Sequence, residues 1–289
     1  MTQASAPAGR FAEGDFRVGQ VLSRSLSVLS RNFLKFLIIP VLVYLPLIVI
    51  GILALALMPA IRAGAMGTAP LVVMGLLLFV AAIVLGIVSQ AAMAHAAFQD
   101  MRGRRVSLVN SLNVSFRRLL PLAGIAIVIG LTLLGVIIAL SALAGFLRVF
   151  VSPVLTTVVA FVGGVTLAFV VMIMWYVAIP ACIVETKGVF ASLARSSQLT
   201  KGHRWKIFGL LLLLVLISIV VGLPLGIVIE IAVVPLFGSG VAAVASGIIN
   251  VVWNITWIAY YAIAVAVIYH DLRAAKEGVG IDEIASVFD

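Results

Sequence analysis

Residues able to carry chemistry are few in this chain, and most stand at the edges of apolar runs. The histidines are His95, His203 and His270. His95 lies a short way before Asp100, and His270 adjoins Asp271. Together with Glu185 they could form a proton-transfer or metal-binding set only if four distant segments met at one surface. Isolated placement at a membrane boundary, in contact with headgroups, is the default expectation for such histidines. No HExxH, Gly-rich phosphate loop or nucleophile elbow occurs. The single cysteine, Cys182, can form no internal disulfide, and no CxxC or Cys/His ligand spacing is present. These residues predict a non-catalytic protein with no metal and no cofactor.

Two polar groupings remain. Ser246, Asn250, Asn254, Trp257 and Tyr261 recur at offsets that share one helix face. The face reads either as the lining of a cavity for a headgroup or small solute, or as interhelical hydrogen bonding, with Ser89 and Gln90 as candidate partners. It carries no charge, which favours the packing reading. Glu230 is the acid that falls among the apolar runs and their uncharged connections, where water or headgroups should reach it. The second grouping is basic: Arg195, Lys201, Arg204 and Lys206 surround Gly202, with Trp205 between them. With Arg24, these residues are candidates for contact with anionic headgroups, Trp205 anchoring the interface. The alternative is ordinary basic flanking of apolar segments.

The elements that must position these residues are membrane helices. The chain has 289 residues, 64% hydrophobic and only 10% charged, against about 25% charged in a soluble domain. Continuous apolar runs predict six spans at roughly 36–58, 70–97, 120–145, 154–183, 206–234 and 240–269. They are too long and too uniformly apolar for barrel strands. Of 19 lysines and arginines, all but Arg62 and Arg148 fall on one side of this arrangement. That asymmetry predicts both termini in the cytoplasm, and it accounts for the net charge of +9 by membrane orientation and anionic lipid; no nucleic acid is implied. Residues 1–16 are small and polar and read as a disordered tail without a signal peptide, and 274–289 as a short cytoplasmic tail. Residues 17–273 form one membrane domain. Prolines inside its spans, Pro40, Pro46, Pro180 and Pro224, are sites where a helix can kink or break, Gly222-Leu223-Pro224 among them.

A short pattern precedes each odd-numbered span. Val18, Val21, Leu22 and Ser25 are matched by Leu108, Ser111, Leu112 and Ser115, and again by Val189, Ser192, Leu193 and Ser196. All three sets lie on one helix face. The first and third align without a gap into the span that follows, pairing Arg24 with Arg195 and Lys35 with Lys206. In the first copy, Arg17, Gln20, Arg24 and Arg31 oppose the apolar side. Such a helix is too short and too charged to span, and should lie in the headgroup plane. The recurring serine is small enough to let it pack closely on a span. The expected unit is an interfacial helix, a span out and a span back, repeated three times in parallel around a pseudo-threefold axis.

The stretch Phe190-Ala-Ser-Leu-Ala-Arg-Ser-Ser-Gln-Leu-Thr-Lys-Gly-His-Arg-Trp205 resembles a motif of bacterial six-span proteins similar to the membrane domain of glycerophosphodiester phosphodiesterases. Pro180-Ala-Cys-Ile-Val-Glu185, Tyr269-His-Asp-Leu-Arg273 and Phe16-Arg-Val-Gly-Gln-Val-Leu-Ser-Arg fit the same pattern. In those enzymes the chemistry belongs to a separate soluble barrel. Only some twenty residues follow 269 here, far short of the ~250 of such a barrel. The resemblance therefore implies a stand-alone membrane domain of a bacterial inner membrane, with no catalytic residue carried over. The expected role is organising lipid, or serving as an accessory subunit beside a protein partner. A transporter or lipid-translocating protein using the polar face of the sixth span is the alternative.

Overall fold

The computed structural model of the chain describes residues 17–62, 68–185, 188–228, 231 and 234–277. Among them every regular element is helical. Six stretches are long and apolar enough to cross a membrane: Phe33–Ala54, Pro70–Met101, Leu119–Leu147, Pro153–Glu185, Arg204–Val228 and Val244–Glu277. The protein is an all-α polytopic membrane protein, as its apolar runs predict. Glu230 and the terminal segments 1–16 and 278–289 lie outside the described residues.

The helices fall into three units. The first holds α1 (Val18–Arg31), α2 (Phe33–Arg62) and α3 (Thr68–Met101). The second holds α4 (Leu108–Arg117), α5 (Leu119–Leu147), α6 (Pro153–Met174) and α7 (Ala178–Glu185). The third holds α8 (Val189–Thr200), α9 (Arg204–Val228) and α10 (Val234–Glu277). The short helices α1, α4 and α8 coincide with the three repeated segments. Local chemistry starts several of these helices: Ser107 caps α4 by accepting from the Asn110 N–H at 3.3 Å, and Ser152 precedes α6 with Pro153 at its first position.

Packing repeats from unit to unit. Each short helix lies on the return span of the unit before it: α4 on α3, α8 on α7, and α1, which has no unit before it, on α10. The outgoing spans obey the same rule, with α5 against α3, α9 against α6 and α2 against α10. The return spans α3, α7 and α10 touch one another in the middle. The units thus close into a ring with pseudo-threefold order. The recurring serines explain the fit: Ser25, Ser115 and Ser196 are all fully buried, where any larger side chain would hold the short helix off its neighbour.

Several boundaries differ from those expected. The fourth span, read as one helix over 154–183, breaks at residues 175–177 between α6 and α7. Pro180 is the cause, since it offers no N–H to the Tyr176 carbonyl and its ring crowds that group. The break is repaired from α8. Ser196 donates to the Met174 carbonyl at 3.0 Å and accepts from the Val177 N–H at 3.2 Å, while Thr200 donates to Met174 at 3.4 Å. Irregular backbone at this depth persists only when buried in protein that satisfies it. The connection expected at 235–239 is instead helical from Val234, interrupted at Gly238, whose φ of 79° suits glycine. Pro224 does not break α9, which continues to Val228, and α10 runs well past 269 to Glu277.

The buried core lies at the end of the bundle that carries the short helices. It is built from Ala91–Phe98 of α3, Val177–Val184 around α7 and Ala259–Leu272 of α10, with Val21, Val28 and Leu29 of α1 and Leu193 and Leu199 of α8. The Phe98 and Tyr269 rings meet edge to face at 5.9 Å, as do those of Tyr176 and Tyr261. Toward the other end the helices expose most of their large apolar side chains.

Candidate functional site

The charged groups concentrate at the end that carries the short helices, and their anchors are the acids that close the return spans. Asp100 in α3, Glu185 in α7 and Asp271 in α10 each stand at the same place in their units. A base follows each two positions later in sequence: Arg102, Lys187 and Arg273. Arg24 of α1 donates to Asp271 at 2.7 Å, and its repeat partner Arg195 of α8 donates to Glu185 at 2.7 Å. Both bonds join a short helix to the return span beneath it. In α4 the equivalent position is Val114, which cannot pair. Asp100 is served from α1 instead, by Arg31 and Asn32, both at 2.6 Å.

Arg195 is committed more deeply than Arg24. It also pairs with Glu277, which Arg273 holds at 2.9 Å, and Tyr269 donates to Glu185 at 2.8 Å. Burial pulls the Arg195 pKa down, but its hydrogen bonds to Glu185 and Glu277 outweigh this and hold it above the usual arginine range. Of the expected headgroup ligands, Arg195 is thus turned inward as a structural cation, only 18% exposed along its side chain. Arg24 is half-buried in its ion pair. Lys201, Trp205 and Lys206 are exposed and Arg204 is half-buried. Lys276 lies within electrostatic reach of Lys201, Arg195 and Arg204, so positive charge accumulates on this side of the ring.

Trp205 belongs to a threefold set that the sequence reading did not find. Each short helix turns into its outgoing span at an elbow. The second residue of each of these spans is a large apolar side chain left outside: Leu34 at 71%, Leu120 at 85% and Trp205 at 83% exposure. Two bases lie close to each one in sequence, Arg31 and Lys35 on either side of the first, Arg117 and Arg118 just before the second, Arg204 and Lys206 on either side of the third. The signal was available as an apolar residue at the second position of each span, with two bases within three positions of it. It was hidden because the second unit is shorter and Leu120 and Trp205 are different residues.

The polar face of α10 divides. Asn250 and Asn254 are exposed, and the Asn254 amide donates to the Asn250 carbonyl and side-chain oxygens, both at 2.8 Å. These bonds stay within α10, whereas the packing reading expected them between helices. Trp257 stacks on Trp253 at 5.9 Å, Tyr261 packs on Tyr176, and Ser246 is half-buried. Ser89 is buried without a hydrogen-bond partner, so the expected link from α3 to this face is not made. The histidines are kept apart in three settings. His95 of α3 meets Ser111 of α4 at 3.2 Å, His270 meets Asp271 at 3.1 Å, and His203 sits in the turn between α8 and α9. Among the described residues, no three of His, Cys, Asp and Glu come together to hold a metal.

Six spans, three short helices closing a ring and a charged collar at one end define a polytopic membrane protein built from three parallel units. The chain belongs to the family described as a domain of unknown function (DUF7847), which it matches over residues 16–272. No curated protein and no solved structure matches the chain.

Proposed function

We propose that the protein is a non-catalytic component of a bacterial inner membrane that gathers anionic lipid around its basic end, with that end and both termini facing the cytoplasm. The three elbows carry the reading. An exposed apolar side chain beside two bases is the arrangement that suits the headgroup boundary, the apolar group entering the acyl region and the bases meeting phosphates. Repetition at three points around a ring sets a belt of such contacts about the whole molecule. The orientation follows from the basic bias of the connections. Native mass spectrometry of protein released gently from its own membrane tests this. Anionic lipid should be retained, and retention should drop in a variant carrying Arg117→Gln, Arg204→Gln and Lys206→Gln. Equal retention in that variant removes the reading.

A second role, as an accessory subunit, is favoured by the exposed amides of α10. Asn250 and Asn254 lie roughly 18 and 24 Å along the helix from the Gly238 break, well inside the depth of a bilayer. An amide facing lipid there is costly unless a neighbouring helix covers it. In this reading a partner retained at fixed stoichiometry should be lost on Asn250→Leu with Asn254→Leu. A partner held equally by that variant sinks it.

A further inference from the structure

One groove at the charged end sets α1 apart from its two repeats. It has a volume of about 480 Å³ and is lined by Gln20, Ser23, Arg24, Ser27 and Arg31 from α1, Met101 at the end of α3, and His270 of α10. Its size is in the range of small-molecule sites. The lining is rich in groups that donate hydrogen bonds and contains no carboxylate. Both acids that hold the arginines, Asp271 and Asp100, stand outside the lining, while both guanidiniums stand within it. Each guanidinium spends one N–H on its carboxylate, so it is oriented by that bond and keeps further donors for a ligand. Each of these acids has a second partner, Asn32 on Asp100 and His270 on Asp271.

One observation points to a missing ligand. The Nε2 atom of His270 is buried and has no hydrogen-bond partner, although His270 is about nine-tenths buried and lines the groove. Gln20 and Ser27 are exposed along the same groove. The repeat supplies the control. In α4 the positions of Gln20, Ser23, Arg24 and Ser27 hold Asn110, Asn113, Val114 and Arg117, and in α8 they hold Ala191, Ala194, Arg195 and Gln198. Arg31 is matched by Gly202 in the third copy. Only α1 combines two arginines with two serines, and the one arginine that α8 retains is taken up by two acids, Glu185 and Glu277.

We propose that this groove binds a phosphate ester, its oxygens received by the Arg24 and Arg31 guanidiniums and the Ser27 hydroxyl. Planar guanidiniums fixed by carboxylates are suited to phosphate oxygens, and two of them two helical turns apart set the ester's place along α1. The ester is either a lipid headgroup or a soluble metabolite. The lipid source rests on the headgroup reading above; the phosphate chemistry does not.

The test uses the full-length protein in two settings. In uncharged detergent, glycerol 3-phosphate is titrated against thermal stability, with glycerol as the control. In nanodiscs of phosphatidylcholine with added phosphatidic acid, retained lipid is counted by native mass spectrometry. Ser27→Phe fills the groove from an exposed position between the two arginines. Arg31→Gln removes one ligand while Asn32 still holds Asp100. Stabilisation by glycerol 3-phosphate and not by glycerol, abolished by Ser27→Phe and weakened roughly ten- to hundredfold by Arg31→Gln, supports a soluble ester. Retention of phosphatidic acid alone, lost in both variants, supports the lipid source. Absence of both effects, or effects unchanged in the two variants, overturns the proposal. Arg204→Gln with Lys206→Gln should leave groove binding intact, so failure of the elbow reading and failure of the groove are told apart.

Discussion

The two ends of the bundle are built on opposite principles. At the charged end, α3, α7 and α10 meet through alanines, Ala91, Ala92, Ala94, Ala96 and Ala97 against Ala178, Ala181, Ala259, Ala262, Ala264 and Ala266, all buried. Short helices cover this core and acids tie them down. At the other end Leu76, Leu77, Phe79, Val158, Phe161, Val220 and Leu223 stand exposed. The reason lies in the solvent. Lipid tails accept leucine as readily as another helix does, so apolar surface alone gives membrane helices no cause to associate. Close packing must come from small residues that let backbones approach and from polar groups that need partners. Both are concentrated where α3, at 34 residues or about 51 Å, and α10 outrun a hydrocarbon core of ~30 Å. The charged end is the part of the molecule that specifies its shape.

Substitutions at the two ends should therefore differ sharply. Arg195→Gln leaves Glu185 and Glu277 without the cation they share and should cost about 3 kcal/mol, read as a fall in Tm in detergent. A Tm within error of the parent would show that the acid network is not structural. Ser196→Ala strands the Val177 N–H at the break in the fourth span and should cost roughly 1–3 kcal/mol. Its repeat partner Ser25 donates only to the Val21 carbonyl of its own helix, at 2.7 Å. Ser25→Ala should thus cost under about 0.5 kcal/mol, because that carbonyl keeps its helical bond. Equal losses for the two serines would mean that the Ser196 hydroxyl does not repair the break. Smallest of all should be Leu77→Ala at the far end, within about 0.5 kcal/mol. A large loss there would show that this end is packed against something in the folded protein.

Much of the scaffold was legible in the sequence. Apolar runs pointed to six membrane helices, and the offsets of Ser25, Ser115 and Ser196 located the three short helices. The break in the fourth span was legible only as a proline. What Pro180 does depends on whether a neighbour can satisfy the opened backbone, and the neighbour is Ser196, on the next short helix. The expected headgroup role of Arg195 shows the same limit. Its positive charge was evident, yet its direction was set by Glu185 and Glu277, which approach it from α7 and α10.

The sequence by itself determined the class of the protein, its six spans, the basic bias of one set of connections and the threefold unit, because each of these depends on residues near one another in the chain. Only the tertiary structure decided how the units close. It set α1 on α10, gave Asp100 to Arg31 within the first unit, and left Arg24 and Arg31 lining a groove while Arg195 was taken inward. Those outcomes pair residues on different helices, Arg24 and Asp271 from opposite ends of the chain. Their partners are chosen by which surfaces come together and which charges are already satisfied when they do.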